Sequence, residues 1–190
     1  MSPEKKLSSF INESKKLDES NFEKTTRIAV ISSFTVNGLA ETLQVKCAES
    51  NIFSHVYSGA YNQYNEEMLN TDSNLYSFKS EICFLILDTR TILQNLFYFP
   101  YDVSESDRKE FVDNKVKELS TLINFFTEKS NSKLIVTNFV PPTHSPYGIF
   151  ESKADYGLQV MIIDFNQKLL TEFSNNPLVF IFDFNGFVTN

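Results

Sequence analysis

The chain has 190 residues and a formal net charge of −7, from 24 acidic and 17 basic side chains. That length suits one domain with a substantial core, and hydrophobic and charged fractions of 42% and 22% are ordinary for a soluble globular protein. The acidic balance argues against nucleic acid or an anionic membrane as a partner, while leaving room for a small anion in a local pocket of opposite sign.

The N-terminus, Met1-Ser2-Pro3-Glu4-Lys5-Lys6, has no apolar region of the kind a secretion signal needs. The longest apolar run, Ile82 to Leu87, is far too short to span a bilayer. Two thiols without close spacing, Cys47 and Cys83, read as reduced, buried residues of a cytosolic protein. His55 and His144 are the two histidines and there is no Cys-x-x-Cys, so neither a metal site nor a bound cofactor is expected.

Residues 3–20 read as a polar helix with a thin apolar stripe of Leu7, Phe10, Ile11 and Leu17, and 21–26 as a linker. The domain proper is therefore expected over 27–190, with the helix and linker of 1–26 appended to it. Arg27 to Ser33 is a β-branched apolar run and predicts a buried first strand. Leu39, Leu43 and Cys47 then recur every four residues, which predicts a helix over 38–50 capped near Asn37. Ile52 to Tyr57 predicts a second strand, ended by Ser58 and Gly59, with helix around 66–69 beyond it. Ile82 to Asp88 predicts the third strand, and an aromatic connection through Phe97, Tyr98, Phe99, Pro100 and Tyr101 follows.

Ser104 precedes Asp107 by three residues, a capping-box pattern opening a helix to about Lys129 with Phe111, Lys115, Leu119, Leu122, Ile123 and Phe126 along one side. A fourth strand is expected from Leu134 to Val140, stopped by Pro141 and Pro142. A helix from about Ala154 to Phe173 and a last strand from Leu178 to Phe182 complete the pattern. Five apolar runs alternating with helices predict a three-layer α/β/α fold with a parallel sheet of order 2-1-3-4-5. Ligands of such sheets bind at the carboxyl ends of the strands, where the order reverses. That focuses attention on 32–37, 59–62, 88–91 and the loop after Val140.

The first of these segments, Ile31-Ser32-Ser33-Phe34-Thr35-Val36-Asn37-Gly38, offers three hydroxyls and a glycine at a strand-to-helix turn. Such a turn can cap the helix, cradle a phosphate or supply a nucleophile. It resembles the first block of the SGNH hydrolases, with Ser33 at the nucleophile position and Thr35 beside it, but without that block's Gly and Asp. Gly59 fits the second block, whose backbone N–H serves the oxyanion hole. The third block has become Leu87-Asp88-Thr89-Arg90, so its Asn is absent and Arg90 is the substitute donor. Asp88 reads either as the residue that holds Arg90 or caps a turn, or as a base. The last block retains an Asp, Asp183, but has no His, and a serine without a base is a poor nucleophile. His144 is the weak candidate for that base. Asn62 offers a donor and an acceptor near the same place.

A closer resemblance accounts for these gaps. Ile28 to Thr35, Ser58 to Tyr64, Asp72 to Phe78, Leu87 to Arg90, Thr137 to Pro142, Ser145 to Gly148, Asp164 to Asn166 and Ile181 to Gly186 look like the N-terminal domain of FkbH-like proteins. The match runs from about Arg27 to the C-terminus. In that family an SGNH-like domain precedes a phosphatase domain of the haloacid dehalogenase superfamily (subfamily IIIC). The resemblance implies a cytoplasmic parent enzyme that dephosphorylates a glyceryl phosphate donor and loads the glyceryl group onto an acyl carrier protein, as in polyketide biosynthesis. The phosphatase signature Asp-x-Asp-x-Thr does not occur here, so phosphatase chemistry and magnesium are not expected of these residues. The favoured reading is a module that binds or positions the carrier-borne group. A working SGNH esterase or acyltransferase using Ser33 is the alternative. A flavodoxin-like phosphate or flavin binder is the third, although a receiver-like acidic cluster and lysine are missing.

Overall fold

The computed structural model describes residues 5–189, so the first two residues of the expected N-terminal helix lie outside it. Five parallel strands form one sheet: β1 (Lys24–Ser32), β2 (Ile52–Ser58), β3 (Ile82–Ile86), β4 (Lys133–Thr137) and β5 (Val179–Phe182). Their order is β2-β1-β3-β4-β5, as the sequence predicts. β1 is buried along its last five residues because β2 and β3 pair with it on either side, Val30 standing opposite both Ser58 and Phe84. Continuous apolar runs are what a parallel strand covered on both faces requires.

The helices are α1 (Leu7–Ser14), α2 (Leu39–Glu49), α3 (Tyr64–Leu69), α4 (Asn74–Phe78), α5 (Thr89–Leu93), α6 (Glu105–Lys129), α7 (Leu158–Phe173) and α8 (Phe184–Thr189). The step from β1 to β2 runs one way along the sheet and every later step runs the other. Right-handed crossovers therefore put α2 on one face and α3, α4, α6 and α7 on the opposite face. The packing of α3 on α6, of α6 on α7 and of α1 on α2 agrees with that division.

The main core lies under α6 and α7. α7 buries Leu158, Met161, Ile162, Phe165, Leu169 and Phe173, the spacing of one helix face. Phe165 meets Phe139 edge-on at 4.9 Å between ring centres, and each such buried ring contributes on the order of 1.5–3 kcal/mol. α6 opens with the expected capping box: Ser104 Oγ accepts from the Asp107 N–H at 3.2 Å, and Asp107 accepts from the Ser104 N–H. Val112, Leu119, Leu122, Ile123 and Phe126 form its buried face, with Phe111 and Lys115 half-buried beside them.

Several boundaries differ from the sequence reading. The helix expected over 3–20 ends at Ser14, and Asp18 caps a separate 3₁₀ turn over Glu19–Asn21. β1 begins at Lys24, inside the expected linker, because Lys24 to Thr26 pair with Ile52 to Ser54. α2 is capped by Gly38 at φ 81°, next to Asn37, and the Leu7 side chain of α1 occupies the space a β-carbon would need there. α7 starts at Leu158 rather than Ala154, because the carbonyls of Asp155 and Tyr156 accept from the buried Arg108 guanidinium instead of entering a helix. The aromatic connection contains α5 and two 3₁₀ turns, which no periodicity announced. Cys83 is buried and Cys47 only half-buried, both as free thiols. Among the described residues no helix is long and apolar enough to cross a membrane.

Candidate functional site

The sheet order reverses between β1 and β3, and Ser33 directly follows β1 there, beside the end of β3. Only 2% of its surface is exposed. Its N–H donates to the Ile86 carbonyl at 3.1 Å, and its Oγ accepts from the Asp88 N–H at 2.8 Å. The hydroxyl thus joins the end of β1 to the turn after β3. Ser32, also buried, donates to the Phe34 carbonyl at 2.6 Å. Thr89 donates to the Val140 carbonyl at 3.0 Å and ties the same turn to the loop after β4.

Two clefts open beside this knot, and Phe34 lines both. The larger, of about 480 Å³, has apolar walls of Leu87, Phe97, Val140, Pro141, Pro142 and Phe184 and polar groups from Asp88, Thr89, Arg90, Asn138, Thr143 and His144. Arg90 is 62% exposed at its side chain. Its Nε lies 3.4 Å from Asp88 Oδ2, and its guanidinium stands 5.9 Å from the Phe97 ring centre. Asp88 thus pairs with Arg90, one of the roles open to it from the sequence. The smaller cleft, of about 230 Å³, is lined by Ser32, Phe34 to Gly38, Ser58, Gly59 and Tyr61, and so includes Thr35.

The residues singled out in the sequence divide among these places. Asp88, Arg90 and His144 share the larger cleft, and Thr35 and Gly59 the smaller. Ser33 lines neither and lies beneath them. The oxyanion-hole role expected of Gly59 is not available in this geometry, because its N–H donates to the Val30 carbonyl at 2.8 Å. Gly59 is needed for another reason: a β-carbon would come within 2.9 Å of both Glu67 Oε1 and Ile31 Cγ2. Asn62 occupies a left-handed turn at φ 55°, exposed, and lines neither cleft. Asp183 lies beyond β5, where it accepts from Asn138 Nδ2 at 2.8 Å and from the Gly186 N–H at 2.9 Å. Those two donors, the Gly186 N–H first, hold its carboxyl below the usual range. No hydrogen bond among the described residues joins Ser33 to His144 or Asp183, so the hydrolase triad is not assembled.

Four features escaped the sequence reading. Asn138 lines the larger cleft, and its Oδ1 accepts from the Asn185 N–H at 2.8 Å, so one amide fixes the ends of β4 and β5. Glu67 is buried and braces the turn after β2, accepting from the Ala60 N–H at 3.1 Å and from the Tyr57 hydroxyl at 2.7 Å. Burial first, and then Glu67, push the Tyr57 hydroxyl pKa up. Arg108 donates to the carbonyls of Pro100, Val103, Asp155 and Tyr156. Glu151 accepts from Ser145 at 2.6 Å and from Tyr101, pinning the loop that carries His144. For Glu67 the one available signal was its place in the polar segment after the second strand. The others depend on contacts far apart in sequence.

A parallel five-stranded sheet of this order, with its clefts at the carboxyl ends and a serine after its first strand, gives the chain an SGNH-hydrolase-like fold. The family model described as the N-terminal domain of FkbH matches residues 27–190, and the chain belongs to that family. Among solved structures, the N-terminal part of the Bacteroides fragilis protein BF1531, which contains a phosphatase domain and was complexed with Mg, superposes with a TM-score of 0.78 at 14% identity. The match covers 98% of this chain and 47% of that one, so the chain spans about half the length of that relative. The lipase Lip_vut3 from a goat rumen metagenome gives a TM-score of 0.54 at 14% identity, over 84% of this chain and 80% of the lipase. A variant of the acetyl-xylooligosaccharide esterase Axe2 from Geobacillus gives 0.53 at 10%, over 91% and 83%. At these identities the likeness is one of fold. No curated protein matches the chain.

Proposed function

We propose that this domain binds and positions an acyl or glyceryl group, carried by an acyl carrier protein, for a phosphatase domain of the haloacid dehalogenase type lying outside these residues. The observation that carries the reading is the state of Ser33: buried, its oxygen held by the Asp88 N–H, and without a histidine partner. A hydroxyl with no base stays protonated at neutral pH and attacks poorly. The adjoining cleft is open and mixed in character. Arg90 and His144 offer donors to a carboxylate, phosphate or hydroxyl, while Phe34, Phe97 and the two prolines offer apolar surface to a short chain. The phosphatase-bearing Bacteroides fragilis relative supports the choice of partner domain. The setting proposed is a cytoplasmic polyketide-type pathway.

The competing reading, an SGNH esterase or acyltransferase using Ser33, draws on the fold shared with a lipase and an acetyl esterase. One comparison separates them. The protein is treated with a fluorophosphonate probe and assayed on short nitrophenyl esters, with Ser33→Ala as control, and glyceryl- or acyl-loaded carrier protein is titrated in parallel. The expected result is no labelling, and carrier binding that weakens with Arg90→Ala. Labelling confined to Ser33, with ester turnover lost in Ser33→Ala, overturns the proposal.

A further inference from the structure

Exposed apolar side chains gather along one edge of the molecule. On α7, Val160, Ile163 and Leu170 form a second apolar stripe, turned away from the six residues that face the core. Beside it runs β5, the edge strand, with Phe180 and Phe182 on its other face, followed by Phe187 and Val188 of α8. These seven side chains are 43 to 70% exposed, and none is charged. At up to 150–250 Å² for a whole aromatic ring, they present on the order of 700 Å² of apolar surface. That exceeds the roughly 300–600 Å² of the largest patch on a typical monomer. It approaches the ~800 Å² that each partner contributes to a standard stable interface.

The strand between the two halves of the patch is open on one side. Soluble proteins blunt such an edge with a short strand, lysine, proline or a bulge; β5 is short, four residues, but Val179-Phe180-Ile181-Phe182 contains no lysine or proline. The carbonyls of Leu178 and Phe182 face β4, accepting from Leu134 at 2.7 Å and Asn138 at 3.0 Å. By the alternation of a parallel ladder, Ile181 turns its own N–H and C=O to the open side.

We propose that this edge is the interface of a symmetric dimer of the chain, in which two β5 strands pair antiparallel about a two-fold axis at Ile181. Such an axis, perpendicular to the sheet, sets Ile181 against its mate, and the two exchange both N–H···O=C bonds. The same operation carries each sheet face onto itself. The α7 stripe then meets the partner's α7 stripe, and Phe180, Phe182 and Phe187 meet the partner's rings. The patch is self-complementary, as a two-fold interface requires, and the result is one continuous ten-stranded sheet. This proposal is independent of the carrier-positioning reading.

Sedimentation equilibrium of the whole chain from low to high micromolar concentration tests it, together with hydrogen exchange of the Ile181 amide. The expected result is a dimer whose Ile181 amide gains protection as concentration rises. Ile163→Glu and Phe182→Glu, one on each side of the strand, should each weaken dimerisation at least tenfold with unchanged circular dichroism. Leu69→Glu, at an exposed apolar position of α3, should leave it intact. A chain that stays monomeric throughout, a dimer that survives both patch variants, or one abolished by Leu69→Glu instead, overturns the proposal.

Discussion

Ser33→Ala removes the acceptor of the Asp88 N–H without opening a large cavity. A buried donor left without a partner costs about 1–3 kcal/mol, so this substitution should destabilise the chain by roughly that amount in urea unfolding. A loss below about 0.5 kcal/mol, the scatter of neutral surface changes, would mean that the hydroxyl is not the joint the geometry describes. Gly59→Ala tests the neighbouring turn. Its new methyl would press on Ile31 and on a Glu67 carboxylate already held by Tyr57 and Ala60, so it cannot simply swing away. The expected cost is about 1–3 kcal/mol, the range for overpacking. At this scale the sequence revealed which positions mattered more readily than what they do. Ser33, Gly59, Asp88 and Arg90 stand out because they follow strands, and the structure puts all of them at the sheet's carboxyl edge. That Ser33 bonds Asp88, 55 residues away, and that the Gly59 N–H belongs to Val30, are facts of register that no local pattern carries.

Elements were legible wherever one physical rule dominated. The strands follow from apolar runs and α6 from its capping box, but the loop from Pro141 to Gly157 follows from neither. It is shaped by two polar anchors, Arg108 from α6 and Glu151 within the loop itself. Arg108, from the first turns of α6, is almost wholly buried and satisfies four carbonyls, two of them at Asp155 and Tyr156. Hydrogen bonds to a charged group contribute about 1.5–3 kcal/mol. Arg108→Met should therefore cost about 3 kcal/mol and expose 141–157 to proteolysis before global unfolding, with Arg108→Lys recovering only part, since one ammonium cannot span the same carbonyls. Glu151 gives the second anchor a pH dependence. Burial raises its pKa, but the hydrogen bonds from Ser145, Tyr101 and the amides of Gln159 and Leu158 outweigh it, and the net direction is down. A carboxylate with a lowered folded pKa contributes stability that is fully present above its ordinary pKa and is lost as pH falls through the lowered value. Wild type should accordingly lose stability below the ordinary carboxylate range more steeply than Glu151→Gln, as measured by urea midpoints at successive acidic pH values. Tyr101, on the other end of that bond, has its hydroxyl pushed up to about 12 by burial and then by Glu151. Its ultraviolet titration should shift back toward 10 in Glu151→Gln.

The whole molecule is unequally anchored. β3 stands at the centre of the sheet, paired to β1 and β4, and its Cys83 is fully buried with a thiol pKa raised chiefly by that burial. Only the thiolate reacts, and only when reached, so Cys83 should be modified no faster than the sheet itself opens. The other face has thinner cover. α1 buries none of its residues fully and rests on α2, with Leu7 against Gly38, where it is nearly half exposed, and Phe10 beside Lys46. Cys47, half-buried on that α2, belongs to the weaker layer. Segments with few buried apolar contacts open at a free energy below that of global unfolding. Pulse labelling with a thiol reagent at increasing urea should therefore modify Cys47 through a transition that precedes the loss of sheet circular dichroism, while Cys83 labelling coincides with that loss. Removing residues 1–16 should speed Cys47 labelling and leave the Cys83 midpoint nearly in place. If truncation instead moved the Cys83 midpoint by the full shift seen at Cys47, α1 would be part of the cooperative sheet unit, and the appended helix inferred from its thin apolar stripe would have to be counted as core.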